Sequence, residues 1–217
     1  MKKLSLFIAV CSLIASVLLT SCDTALTLKA VKTGGAELTI TSDLTKETVN
    51  NIRSLTGSPA DIPFFSEDEL IKLLKDIGGF NIKAKVKSES AFDANCFLPD
   101  FTSGVFKSLN MVTLTGNTMT LTLGPEQLKN FYNQLTPEAQ SYFDMFMAPA
   151  ITGEKLNLAE YRELLSSLYG PKIAAEFTDG PVALTLTSPD GEKATKVKLT
   201  LGELMTIANE KSWSVTW

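Results

Sequence analysis

The sequence predicts an α+β fold in which β-hairpins build an antiparallel sheet and helices pack on one face of it. Three patterns predict this fold class. Short segments alternate apolar and polar residues, which is typical of half-buried antiparallel strands. Glycine-containing turns join these segments in pairs, which indicates hairpins. Segments with apolar residues at helical spacing separate the pairs and are suited to cover a dry sheet face.

Three hairpins account for most of the predicted strands. They span residues 26–40, 112–123 and 182–201, and a helix-like segment follows each one. Their turns are Thr33-Gly34-Gly35, Gly116-Asn117 and Pro189-Asp190-Gly191. The helix-like segments carry apolar residues at Val49, Ile52 and Leu55, at Leu128, Phe131, Tyr132 and Leu135, and at Leu204 and Met205. We therefore expect hairpin and helix to follow one another three times along the chain.

Further helices and strands fill the segments between these units. Ser66 and Glu69 have the spacing of a capping box, and an apolar stripe from Leu70 to Ile77 follows them. A second such stripe occupies residues 161–168 before Gly170. Strands are predicted where Phe80, Ile82, Ala84 and Val86 alternate with Lys83, Lys85 and Lys87, and where Trp213, Val215 and Trp217 end the sequence.

Threonines stand opposite the aliphatic positions of these strands. Threonine favours extended backbone and tolerates water, so each strand is expected to have one dry face and one wet face. The threonines in question are Thr27, Thr39, Thr41, Thr113, Thr115, Thr120, Thr122, Thr185, Thr187 and Thr200. We expect helices on the dry side of the sheet.

Composition excludes several classes of function. The chain has 217 residues, 44% of them apolar and 20% charged, which is typical of a globular protein. It contains no histidine, which excludes serine–histidine and cysteine–histidine nucleophile pairs and every histidine-bearing zinc site. Its net charge of −4 argues against binding to nucleic acid. The sequence indicates no cofactor and no metal site.

The first residues have the features of a secretory signal. Lys2 and Lys3 form a positive start, and an apolar run extends from Leu6 to Leu19. At about 1.5 Å per residue this run reaches only ~21 Å as a helix, which is short of a ~30 Å hydrocarbon core. Leu19-Thr20-Ser21-Cys22 follows it and resembles the lipobox of bacterial lipoprotein precursors. The alternative is an ordinary secreted protein that is cleaved near Ser21 and keeps a free thiol at Cys22.

The resemblance to lipoprotein precursors implies two parts. Residues 1–21 would be the signal peptide and residues 22–217 a single α+β envelope domain, attached to the membrane by lipid on Cys22. The mature chain would keep 18 basic against 24 acidic residues, a net charge of −6, because Lys2 and Lys3 leave with the signal. Asp23 resembles the residue that retains enterobacterial lipoproteins in the inner membrane, although this rule does not hold in all bacteria. We therefore expect the cell envelope, at either the inner or the outer membrane.

Aromatic residues are the candidate contacts for a ligand or partner. The segment Ser90–Gly104 is the most irregular, and we expect it to be a long connection containing Phe97 and Phe101. Phe64 precedes the second predicted helix, and Phe143 and Phe146 lie in an apolar segment that also contains Tyr142, Met145 and Met147. Burial in the core explains the segment around Phe143 equally well, and more commonly, and the phenylalanines of Ser90–Gly104 can equally hold a connection to the core. A hydrophobic staple before the second helix explains Phe65 but not Phe64.

Nucleophiles and acids give weaker signals. Cys96 has no histidine partner, and we expect a buried, inert thiol. Asp93 and Asp100 are the candidate pair for glycoside hydrolysis or a hard metal ion, but their spacing matches no known motif.

The expected function is that of a non-catalytic, membrane-anchored lipoprotein that binds a hydrophobic ligand or a protein partner in the envelope. The hairpin that follows the cysteine resembles LppM-like bacterial lipoproteins, which are associated with binding of envelope lipids. The alternatives are a structural or assembly component of an envelope complex and, third, an envelope hydrolase.

Overall fold

Helices and strands contribute in similar measure to the computed structural model, which confirms the α+β class. The structure describes residues 24–56, 59, 63–102, 104–135, 140, 144, 146 and 148–217. The predicted signal and Cys22 lie outside these residues, as does most of the apolar segment around Phe143.

The described strands form two sheets. Six of them pair in the order β3-β4-β2-β1-β7-β8, and three pair in the order β5-β6-β9. The strands are β1 (Thr24–Ala30), β2 (Ala36–Asp43), β3 (Phe80–Ser88), β4 (Ala91–Leu98), β5 (Val112–Thr115), β6 (Thr118–Leu123), β7 (Pro181–Thr187), β8 (Ala194–Thr200) and β9 (Lys211–Thr216). All three predicted hairpins are confirmed as antiparallel pairs.

One strand pair departs from the expected antiparallel pattern. Strands β1 and β7 are parallel, with Leu26 opposite Leu184 and Leu28 opposite Leu186. This pair joins the first hairpin to the third, so residues far apart in sequence meet in the middle of the larger sheet. The second hairpin does not join this sheet and pairs with the last strand instead.

Helices of four to twelve residues connect the strands. Within the described ranges they are α1 (Lys46–Thr56), α2 (Glu67–Asp76), α3 (Gly104–Leu109), α4 (Pro125–Gln134), α5 (Pro149–Thr152), α6 (Leu158–Tyr169), α7 (Pro171–Asp179) and α8 (Leu201–Met205). The sequence predicted the helices corresponding to α1, α2, α4, α6 and α8. It did not predict α7, whose start at Pro171 was interpreted as the end of α6; proline is well suited to a first helical position.

The core lies on one face of the larger sheet. In β1, β2, β4 and β7 the even-numbered apolar residues point into it, and in β8 Val197 does so. Helix residues such as Leu74, Tyr161 and Phe177 complete the same cluster and are 1%, 0% and 2% exposed. Each large side chain buried there contributes about 1.5–3 kcal/mol relative to an exposed position.

Two local predictions were wrong. Ser90–Gly104 is not a long connection, because Ala91–Leu98 is strand β4, whose residues Phe92, Ala94, Cys96 and Leu98 are buried.

Ser66 is the N-cap of α2, but its side chain makes no capping hydrogen bond. Glu67 beside it accepts a hydrogen bond from the backbone N–H of Val86 on β3 instead (3.0 Å). Complete capping boxes occur at Asn157 with Glu160 and at Thr200 with Glu203, where none was predicted.

The turn of the first hairpin supplies a test of this fold. Gly34 and Gly35 both have positive φ, but a Cβ at Gly34 would meet no atom within 4 Å, whereas one at Gly35 would lie 2.2 Å from the Leu98 carbonyl oxygen. We expect Gly34→Ala to cost about 1–2 kcal/mol from backbone strain and Gly35→Ala about 3 kcal/mol or more. Urea unfolding followed by tryptophan fluorescence measures both. Equal losses would show that β4 does not approach this turn.

Candidate functional site

The face of the larger sheet opposite the core is lined by short polar and small side chains. Its central row runs from Asn95 through Thr39 and Thr27 to Thr185, which are consecutive partners across β4, β2, β1 and β7. Thr41, Ala25 and Ala183 form the neighbouring row. Most of these side chains are half-buried, as expected for a sheet face that stays in contact with solvent. We call this surface the open face.

Lysines border the open face at both outer strands. On β3, Lys83 and Lys85 lie opposite Asn95 and Asp93. On β8, Lys196 and Lys198 lie opposite Thr185 and Ala183. All four lysines are exposed. Since neighbouring strands are about 4.8 Å apart, the two lysine borders are separated by roughly 24 Å across the sheet, and threonine and alanine form the middle of this span.

The other charged groups on this face are partly paired. Lys87 lies 2.6 Å from Asp93, and both side chains remain substantially exposed. Lys29 is opposite Glu37. Asp43, at the end of β2, is an odd-numbered residue of this strand like Glu37 and therefore lies on the same face. The open face therefore carries six lysines against three carboxylates, whereas the whole chain has 20 basic against 24 acidic residues.

A bulge in β3 brings an exposed aromatic residue to the same face. Two residues of β3 oppose one of β4 between the pairs Phe80–Phe97 and Lys83–Asn95. Asn81, within this bulge, has φ +53°, a left-handed conformation that asparagine tolerates. The bulge reverses the alternation, so Phe80 shares the open face with Phe97. Phe80 is 60% exposed, and the other exposed large apolar side chain among the described residues is Leu168 on α6, at 51%.

The smaller sheet has an open face of a different kind. Its outward residues are hydroxyl-bearing, and three cross-strand pairs hydrogen-bond to each other: Thr118 with Thr216 (2.9 Å), Thr120 with Ser214 (2.8 Å) and Thr122 with Ser212 (3.0 Å). The outward-facing residues of its three strands carry no charge.

The candidate phenylalanines lie in different environments. Phe64 and Phe101 belong to the core, at 5% and 6% exposure, and the ring of Phe64 contacts Phe65 edge-on at 5.0 Å. Phe146 is partly buried and stacks on Phe177 with ring centroids 4.3 Å apart. Phe97 is the candidate on the open face. Phe143 and the predicted lipid attachment site Cys22 lie outside the described residues.

Packing alone explains the positions of Phe64, Phe101 and Phe146. The carbonyl oxygen of Phe146 also accepts a hydrogen bond from the buried Tyr161 hydroxyl (2.7 Å), and burial raises the pKa of this tyrosine. Phe64, Phe97, Phe101 and Phe146 are thus not brought together at one site.

Cys96 is buried on the core side of β4. It is 3% exposed, and its Sγ would lie 2.8 Å from a Cβ at Gly79, so the backbone of that glycine packs directly against the sulfur. Burial raises the pKa of the thiol from 9.0 to about 11. The thiolate, which is the reactive form, is therefore disfavoured at neutral pH.

The two candidate acids are held at separate places. Asp93 pairs with Lys87 on the open face, and Asp100, beyond the other end of β4, accepts hydrogen bonds from the N–H and hydroxyl of Thr102, both at 2.7 Å. The five residue steps along the strand from Asp93 to Leu98 already extend about 17 Å. Glycosidases need their two carboxyl groups roughly 5–10 Å apart, so these acids do not form such a pair.

The residues that sequence reasoning missed are the lysines of β8 and Phe80. The signal for the lysines was present, because Lys196 and Lys198 flank the apolar Val197 as Lys83 and Lys85 flank Ala84. That both sets face the same side of one sheet depends on the strand order.

No family model, curated protein or solved structure matches this chain. None of the described helices is long and apolar enough to cross a membrane. In the described part of the chain, no three cysteine, aspartate or glutamate side chains are arranged to hold a metal ion.

The burial of Cys96 gives a test of this geometry. At about pH 8 a thiol of pKa about 11 is ionised roughly 100-fold less than one of pKa 9.0. We expect iodoacetamide to modify Cys96 at least 100-fold more slowly in the native protein than in concentrated urea, as measured by mass spectrometry of its peptide. Equal alkylation rates under the two conditions would contradict the burial of this thiol.

The same pKa shift sets a pH dependence. Because the folded-state pKa is above the unfolded one, the thiol contributes its full stabilisation below about pH 9, and this is lost as pH rises through about 11.

Proposed function

We propose that this chain is a lipid-anchored, non-catalytic protein of the bacterial cell envelope that presents the open face of its larger sheet to a partner. One observation carries the proposal: Lys2 and Lys3, the apolar run to Leu19 and the sequence Leu19-Thr20-Ser21-Cys22 occur in the order of a lipoprotein signal. Acylation of Cys22 with two or more chains exceeds what stable anchoring requires.

The start of the fold fits a short tether. Strand β1 begins at Thr24 and lies between β2 and β7, within the larger sheet. Asp23 alone separates Cys22 from this strand, so the reach from lipid to sheet is about 10 Å or less. An anchored domain would therefore stay against the bilayer, with the bilayer close to one end of the sheet.

The contact surface in this proposal is the open face. Phe97 keeps its proposed role there and gains Phe80 as a neighbour, whereas Phe64 and Phe101 are needed in the core. The partner would be an envelope protein or a hydrophobic molecule that contacts the phenylalanines, with threonine hydroxyls available for hydrogen bonds.

A structural or assembly role is the second candidate. It is favoured by the smaller sheet, whose hydroxyl-bearing face and short strand β5 offer a surface that another envelope protein can join.

The lipid anchor is tested by substitution of single cysteines in the full chain. We expect metabolic labelling with a palmitate analogue to mark the wild type and the control Cys11→Ser, and to be lost in Cys22→Ser, because acylation requires that one thiol. In-gel fluorescence of the immunoprecipitated protein measures this. Equal labelling of Cys22→Ser and Cys11→Ser would contradict the proposal.

A further inference from the structure

We infer that the open face is a docking surface for an anionic phospholipid bilayer. This assignment deepens the function proposed above and rests on its envelope location. It identifies the partner of the open face as a negatively charged membrane surface, contacted by lysines at both borders of the sheet and by Phe80.

The first argument is the distribution of charge. The open face has six lysines against three carboxylates, which leaves 14 basic against 21 acidic residues on the rest of the chain. A protein with this balance is repelled by an anionic membrane in most orientations. On the open face positive charge exceeds negative, so an anionic membrane attracts this face.

The second argument is the placement of the lysines. Lys83 and Lys85 on β3 and Lys196 and Lys198 on β8 are exposed. The strands between them present threonine and alanine on this face, together with Phe97, Asp93 and the cross-strand pair of Lys29 and Glu37. Two positive borders about 24 Å apart contact several lipid headgroups rather than one small anion. The threonines between them tolerate the hydrated headgroup region without an unsatisfied buried charge.

The third argument is the exposed aromatic residue. Phe80 is 60% exposed beside Lys83, and the bulge at Asn81 places it on the lysine-bearing side of the sheet. An exposed phenylalanine next to lysines is the combination found on proteins that rest on a membrane, since the ring enters the acyl boundary while the ammonium groups meet phosphate.

An acidic polymer, such as an anionic glycan or polypeptide, would meet the same lysines. The membrane is favoured because an acidic polymer offers no apolar region for the ring of Phe80. In addition, an anchor at Cys22 would hold the sheet within reach of lipid headgroups. Binding to an acidic polymer is therefore an outcome of the test below.

The test uses the full chain with Cys22→Ser, so that no acyl group contributes. Sedimentation with vesicles of phosphatidylcholine, with and without phosphatidylglycerol, measures binding. The face variant carries Lys83→Gln, Lys196→Gln and Lys198→Gln. The matched control carries Lys72→Gln, Lys107→Gln and Lys129→Gln, three exposed lysines on helices. Both proteins lose the same charge and keep the same N-terminal segment.

We expect the parent protein to prefer phosphatidylglycerol vesicles and the face variant to bind them at least tenfold more weakly, since each lysine near an anionic surface contributes about fivefold. The control is expected to stay within about threefold of the parent. Phe80→Ser is expected to weaken binding without changing its dependence on salt.

Three outcomes would overturn the inference: equal losses in the face variant and the control, equal binding to both kinds of vesicle, or binding to polyglutamate that matches binding to anionic vesicles. The anchor is judged separately by acylation of Cys22. Vesicle binding without acylation overturns the proposed function alone, and acylation without vesicle binding overturns this inference alone.

Discussion

Burial of one face of the larger sheet determines most other features of this structure. Residues such as Leu28, Leu38, Leu98 and Leu186 from four adjacent strands are each at most 4% exposed and meet the helices there. Because side chains alternate along a strand, a shift of register by one residue would exchange the two faces and expose this core. The same constraint fixes which residues remain outside, so the open face is a direct consequence of the core.

The composition of the open face is therefore informative. A face in contact with water alone needs only polar residues, and the threonines satisfy that need. Lysines at both borders add a positive charge opposite to the sign of the whole chain, and the bulge at Asn81 adds the exposed Phe80. The open face therefore combines excess positive charge with an exposed aromatic ring, and the inferred contact with an anionic bilayer uses both.

Local pattern predicted much of the fold and little of the site. The hairpins were found because their turns and alternation lie within short stretches of sequence. Strand β4 was missed because the acids and aromatics of Ser90–Gly104 suggested a loop, although Phe92, Ala94, Cys96 and Leu98 alternate as a strand requires. The parallel β1–β7 pair joins distant segments without any local signal, and it is this pair that puts the lysines of β3 and β8 on one surface.

Chemical labelling of isolated membranes measures whether the open face lies against a bilayer, as we propose. Isolated membranes, opened by sonication, are treated with a charged amine-reactive ester before and after detergent solubilisation, and mass spectrometry gives the modification of each lysine. We expect four lysines to become several-fold more reactive on solubilisation, namely Lys83, Lys85, Lys196 and Lys198. Lys72 and Lys129 are expected not to change. An equal change in the reactivity of the two groups on solubilisation would contradict this orientation.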